Sequence, residues 1–430
     1  MTALRHVALW QELRSPRFAL FLATVALCLI RARDQPSIDV SIGGTTASIV
    51  PADIALIALA LVAVVAIARR GLERAAWPAA ISAALFCLWL LATAAANSAT
   101  AFVSGAKVVE LTALALGALA FLRLRAHLDA LADVLILFTL VADVVGLVKF
   151  VTGGGGRQAS FLGEHDFAAL ATLPLLYGLA LLYARGRDRR AWLAIAVGGL
   201  GCVLGAALAS LLGLYIGAVV LLVLHALTRR LTLRDIAATL AVVVAVTGGT
   251  LAIRSGDLGF LQSWFGKPAS RPGQYASSWS QRLIYTYVGG RIFIANPLLG
   301  TGWWGDLPPK EFDAYLPAAR RRFADQPARY FPPPDKPFIP QQTYDEVLYE
   351  LGAIGGVLFL ALIVSVGDAA ARAARRARGA AASVPAAWFA ASLGALAGEG
   401  LFGGTALAAT FWLITGVVVA LSLRPGAGEA

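Results

Sequence analysis

Apolar runs of membrane length recur along the chain, joined by short polar connections. The pattern is interrupted once, by about ninety polar residues from Arg254 to about Asp345. Crossing a hydrocarbon core of about 30 Å takes roughly 20 apolar residues in a helix. Unpaired backbone groups are so costly in lipid that such runs must be helical. The pattern predicts about twelve spans, near residues 16–33, 50–68, 77–96, 104–123, 128–151, 166–183, 191–207, 210–227, 236–253, 346–366, 386–402 and 405–423. The expected fold class is an all-α integral membrane protein. Its expected organisation is helices 1–9 over residues 1–253, a large late loop with short helices over 254–345, and helices 10–12 over 346–430.

Two parts of this topology rest on finer signals. The run from Ala191 to Leu227 is long enough for two helices, with only the small residues Ala209 and Ser210 to turn on. The segment Arg31 to Ser48 alternates Ser37, Asp39 and Ser41 with Ile38, Val40 and Ile42, which predicts a short extended piece.

Hydrophobic residues fill 59% of the 430 positions and charged residues 14%, with a mean hydropathy of +0.74, which excludes a soluble domain of ordinary make-up. The formal charge of +11 would suggest a nucleic-acid partner in a soluble protein. Here the arginines gather in every second connection: Arg69, Arg70 and Arg74; Arg123 and Arg125; Arg185, Arg187, Arg189 and Arg190; Arg229, Arg230 and Arg234; Arg372, Arg375, Arg376 and Arg378. That is the positive-inside pattern, and no nucleic acid is expected. It puts both termini in the cytoplasm, favours two helices over Ala191 to Leu227, and places the large loop outside. Arg14 and Arg17 agree, as does Arg5; Arg31 and Arg33 are the exception in a short loop. The first run, Phe18 to Ile30, lacks a small-residue cleavage site and reads as a span rather than a signal peptide. Cys28, Cys87 and Cys202 lie inside apolar runs and offer neither a disulfide framework nor metal spacing.

Candidate chemistry concentrates on the outer face. The loop Gly153 to Asp166 carries four consecutive glycines, then Arg157, Glu164 and His165, the one histidine expected on that face. Arg282 opens a run to Ile294 that is too polar to span and suits an interfacial helix, with its planar guanidinium matched to a phosphate. Asn296-Pro297 ends that helix, and Gly300 and Gly302 permit a tight turn before Trp303 and Trp304, which suit a membrane-interface belt or a sugar platform. The segment Asp306 to Pro340, rich in proline and charge, reads as a lid or an excursion. Glu346 and Glu350 share a helix face, where one carboxylate offers a general base; helix-start charge is the plainer use. Lys107 and Glu110, one turn apart in an apolar span, are expected to face the protein interior.

In order along the chain, these features resemble the O-antigen ligase and O-antigen polymerase superfamily of membrane glycosyltransferases. The resemblance is carried by Arg157, Ser160-Phe161 and His165-Asp166-Phe167, by Arg282 with Asn296-Pro297-Leu298-Leu299-Gly300-Thr301-Gly302, and by Tyr344 with Glu350-Leu351-Gly352-Ala353-Ile354-Gly355. It implies a bacterial inner-membrane enzyme of envelope polysaccharide synthesis. Such an enzyme moves a glycan from a polyprenyl-diphosphate-linked donor to a glycan or glycolipid acceptor, by inverting transfer without metal or cofactor. On that reading His165, Arg282 and Glu346 are catalytic. Arg157, Arg254, Arg291, Trp303, Gln341, Gln342 and Tyr344 bind substrate. Two positions depart from the family pattern: Gln341 stands where a histidine is common, and Leu211 follows Ser210 where an arginine is common. Glutamine is no base and leucine binds no phosphate, so His165, Glu164, Asp345 or Glu346 would supply the base and Arg157, Arg254 or Arg291 the cation. A transporter or flippase of lipid-linked oligosaccharide and a non-catalytic assembly scaffold are the alternatives.

Overall fold

The computed structural model describes residues 14–42, 44–123, 125–153, 155–186, 188–228, 231–254, 278–376, 383–401 and 404–423. Arg5, Gly154, Arg187, Arg229, Arg230, Arg378 and the first part of the polar stretch, 255–277, lie outside the described residues. Among the described residues the fold is all-α apart from one hairpin. In chain order the helices are α1 Pro16–Cys28, α2 Pro51–Arg70, α3 Trp77–Asn97, α4 Ala99–Glu110, α5 Thr112–Phe121, α6 Arg125–Thr152, α7 Glu164–Arg185, α8 Arg189–Gly205, α9 Leu208–Thr228, α10 Leu233–Ile253, α11 Ser278–Ala295, α12 Pro309–Phe312, α13 Leu316–Arg322, α14 Thr343–Arg376, α15 Val384–Ala395 and α16 Ala406–Ser422. Eight segments, among them α4 and α5 taken together, are long and apolar enough to cross a membrane; α1, α15 and α16 are shorter apolar helices.

The expected extended piece is an antiparallel hairpin, β1 Ile38–Ile42 with β2 Thr45–Ile49, Ile38 opposite Ile49. α7 sits in the middle and is enclosed along nearly its whole length, whereas α2 and α10 expose Ile54, Leu61, Leu240 and Val244 outward, as lipid contact requires. Three arginines knit the face opposite the loop: Arg70 donates to the Ala120 carbonyl, Arg190 to Asp129 and Arg372 to Ala75. Lys107 turns inward as expected and pairs with Asp53, with Glu110 3.7 Å away.

Several boundaries differ from the expectation: the first helix ends at Cys28 rather than near 33, α14 runs on to Arg376, and two differences shape the site. The break between α8 and α9 falls at Ala206, which adopts a left-handed conformation (φ 45°), not at Ala209 and Ser210. Arginine side chains make that early break stable by taking up the carbonyls at the end of α8, as described below. The span expected at 386–402 stops being helical at Ala395. Residues 396–401 run non-helically, and irregular backbone inside a membrane protein persists only where protein groups satisfy it.

The large loop has a core of its own. Ile284, Val288 and Ile292 recur every four residues on one side of α11 and pack with Leu307, Phe312, Leu316, Phe338 and Tyr349. A backbone bridge between Leu307 and Phe338 closes the segment 306–340.

Candidate functional site

The loop is fastened to the membrane helices by backbone. α14 is broken at Gly352 (φ 65°, ψ −167°), which frees carbonyls and amides on either side. The Asn-Pro-Leu-Leu-Gly-Thr-Gly run fills the gap: Ala353 donates to the Pro297 carbonyl at 2.8 Å, and Thr301 to Tyr349 at 3.0 Å. The Leu351 carbonyl accepts from Trp89 Nε1 of α3 at 3.1 Å. Gly300, also left-handed (φ 67°), lies against Gly352, and a Cβ on either would collide with the other segment's backbone. The Asn296–Gly302 run and the Glu350–Gly355 stretch are therefore the two halves of one joint.

Glu350, wholly buried, completes that joint by accepting from the Trp304 amide at 2.8 Å and the Gly305 amide at 3.1 Å. Glu346, one turn earlier and equally buried, accepts from the Leu401 amide and so holds the unwound segment after α15. Trp303 is buried too. Its amide donates to Thr93, its carbonyl accepts from Asn97, and it packs beside Gly105, so its ring offers no platform to a sugar.

Arg282 stands at the head of α11 and faces the unwound segment. Its Nη1 donates to the Ala397 carbonyl and its Nη2 to the Gly398 carbonyl, both at 2.8 Å. These groups follow the last turn of α15, where a cation is favoured by the unpaired carbonyls and the helix dipole. Nη2 also lies 3.1 Å from His165 Nε2. A guanidinium only donates, so Nε2 must accept and the imidazole proton sits on Nδ1. His165 Nδ1 has no hydrogen-bond partner among the described residues.

Two further arginines converge on the same place by capping the end of α8. Arg157 Nε reaches the Gly205 carbonyl at 3.4 Å and pairs with Glu164 at 3.1 Å, while Arg254 Nη1 donates to the Ala206 carbonyl at 3.0 Å. Arg254 thus brings a guanidinium to the α8–α9 turn, five residues before Leu211. Burial holds the Arg282 pKa down to about 10; Arg157 and Arg254 press the same way, and Glu399 and Asp345 oppose them. At neutral pH it remains a cation.

Glu399 is the residue that sequence reasoning passed over. It lies in the unwound segment beside Gly398, its Oε2 is buried without a hydrogen-bond partner among the described residues, and burial pushes its carboxyl up to about 8. The Asp166 charge adds to that rise, and Arg31 and Arg282 work against it. Asp166 itself is held by Arg31 through Nε at 3.1 Å and Nη2 at 2.9 Å, and accepts from the Leu407 amide at 2.7 Å. Arg31, the exception to the charge pattern, is therefore a structural partner.

On the same side of α11 as Arg282, one turn on, Thr286 donates to Asp345 at 2.7 Å, and Gln342 donates to both. The Gln341 side chain donates to the Ile339 carbonyl at 3.4 Å, and the Tyr344 hydroxyl donates to the Leu393 carbonyl. Arg291 is exposed, nine residues or half a helical turn away from Arg282, so it points off the opposite side of α11. His165, Arg157, Arg254, Arg282, Gln342 and Asp345 are thus gathered with Glu399. Glu346 and Trp303 are enclosed as structural supports, and Arg291 stands apart.

No curated protein matches the chain. Residues 192–360 match the family model described as O-Antigen ligase. The match runs from α8 through the loop into α14 and contains Arg254, Arg282, the Gly300–Gly352 joint and Gln342. Over residues 192–360 this multi-pass helical protein is similar to the O-antigen ligase family, and the match supports a glycosyltransferase-like place in polysaccharide assembly.

Proposed function

We infer that the protein transfers a glycan from a polyprenyl-diphosphate carrier to a sugar hydroxyl, on the extracytoplasmic side of a bacterial inner membrane. The observation that carries this reading is the convergence of Arg157, Arg254 and Arg282 beside the Glu399 carboxyl, whose Oε2 has no hydrogen-bond partner among the described residues, within a membrane protein that matches the O-antigen ligase family over residues 192–360. A departing diphosphate needs fixed positive charge where its negative charge grows, and three guanidiniums held by backbone carbonyls, Arg254 buried and Arg157 and Arg282 half-buried, supply it without rearrangement.

The acceptor hydroxyl must lose a proton as it attacks the anomeric carbon. His165 is badly placed for this task, because its Nε2 lone pair is already directed at Arg282. Its role here is to orient that arginine. Glu399, which has a carboxylate oxygen without a hydrogen-bond partner among the described residues and lies beside Arg282, takes the proton as general base, its raised pKa being suited to work near neutrality. The glycan bond to the diphosphate breaks as the new glycosidic bond forms, and the diphosphate leaves on the arginines.

The test is transfer in proteoliposomes from a polyprenyl-diphosphate glycan to an acceptor glycan or glycolipid, comparing Arg282→Ala and Arg157→Ala with the native chain. A drop of about a hundredfold or more in the Arg282 variant is expected for loss of a transition-state donor. Undiminished transfer in both variants overturns the reading, and so does movement of the intact donor across the bilayer with no glycan product.

A further inference from the structure

On the face opposite the loop, α3, α5 and α16 leave a slot of about 240 Å³ between them, lined by Ala76, Ala83 and Cys87 of the α3 wall, Ala115 of α5, and Trp412 and Gly416 of α16. An apolar cavity of roughly 150 Å³ already accepts a benzene ring, so this one has room for a stretch of hydrocarbon. Its α3 wall runs eleven residues from Ala76 to Cys87, about 16 Å at 1.5 Å per residue. That is half of a hydrocarbon core about 30 Å thick, the depth of one leaflet.

The protein does not seal this space. Trp412 Nε1 and Thr415 Oγ1, both on buried side chains lining the slot, have no hydrogen-bond partner among the described residues. The shallow end is marked by charge. Arg70 is pinned to the Ala120 carbonyl, next to Leu119 on the α5 wall, and Arg372 to the Ala75 carbonyl, next to Ala76 on the α3 wall. Arg74 is exposed two residues before Ala76, and Trp77 is half-exposed beside them at the level where interfacial aromatics sit. Arg372 also pairs with Asp368, one turn before it, and its Nε is buried without a hydrogen-bond partner among the described residues.

We propose that this slot binds an anionic glycerophospholipid from the leaflet opposite the loop, one acyl chain lying between α3, α5 and α16 and the phosphate held by Arg74, Arg70 and Arg372. The chemistry divides as the site does: small apolar side chains at leaflet depth for the chain, and guanidiniums bracketing the mouth for the phosphate. This site is separate from the transfer reading, whose arginines lie on the other face.

The experiment uses the full-length protein in detergent, titrated with phosphatidylglycerol or phosphatidylcholine carrying brominated acyl chains, which quench tryptophan on contact. Phosphatidylglycerol should quench one component at a concentration about tenfold or more below that needed with phosphatidylcholine. Trp412→Phe should remove that component, and the double variant Arg74→Gln, Arg372→Gln should bring the two lipids level. Equal quenching by both lipids in the native protein, or a component unchanged in Trp412→Phe, overturns the proposal. So does displacement of phosphatidylglycerol by stoichiometric polyprenyl phosphate, which would assign the slot to an isoprenoid tail. Ala83→Phe should block the slot; should that variant not fold, the Trp412→Phe result decides alone.

Discussion

Gly300 and Gly352 face one another across the joint between loop and membrane, each left-handed and each too close to the other's backbone to admit a side chain. Gly300→Ala or Gly352→Ala combines a disfavoured φ with a collision against a carbonyl, so each is expected to cost at least about 2 kcal/mol. Gly290→Ala, a helical position with nothing near its Cβ, should be neutral or stabilising by up to about 1 kcal/mol. Thermal unfolding of the purified variants in one detergent separates the two cases, and an unaltered midpoint in both joint variants would refute the steric account.

That joint shows what the sequence made legible and what it hid. Most helix positions followed from apolar length, and the division of Ala191 to Leu227 into two helices followed from the arginine pattern, because both are one-dimensional signals. Arg282, Arg157 and Arg254 were legible as cations on one side of the spans. Burial was not. Glu346 and Glu350 look like surface carboxylates at the start of a helix, yet backbone amides 45 to 55 residues away in sequence enclose them. Glu399 was hidden because its segment reads as the end of an apolar span, and only the unwinding after Ala395 brings it beside Arg282.

Arg282 makes three contacts that a single ammonium cannot reproduce together, to Ala397, Gly398 and His165. Arg282→Lys should therefore recover less than about a tenth of native transfer, despite keeping the charge. Transfer at native rate in the lysine variant would show that charge alone suffices.

Glu399 and Arg282 together set a pH window. Deprotonation of Glu399 near 8 should raise transfer and loss of charge on Arg282 near 10 should end it, giving a bell between the two. Glu399→Gln should abolish the rising limb along with most activity, and a profile identical to the native one would remove Glu399 from the chemistry. For stability the sign is opposite. The raised carboxyl binds its proton more tightly folded than unfolded, where carboxylates titrate at about 4.3, so its contribution is greatest below that value and is lost as pH rises to about 8.

Arg31 is expected to matter for folding rather than chemistry. Its partner Asp166 is fully enclosed, so Arg31→Ala leaves a buried carboxylate without its cation, at a cost of about 3–5 kcal/mol. Replacing both residues with leucine should recover part of that loss; unfolding midpoints of the three variants give the measurement.

The enclosure of α7 fixes an order of events in biosynthesis. Two of its polar groups take a partner from the last helices of the chain: the Leu173 carbonyl accepts from Trp388 Nε1, and Asp166, besides its pair with Arg31, accepts from the Leu407 amide. A ribosome that has made α7 must complete more than 200 further residues before those partners exist. During that interval α7 has to wait beside lipid or inside the insertion machinery. Chains cut short before residue 384 would carry this unfinished helix permanently, giving membrane quality control a recognisable mark of incomplete synthesis.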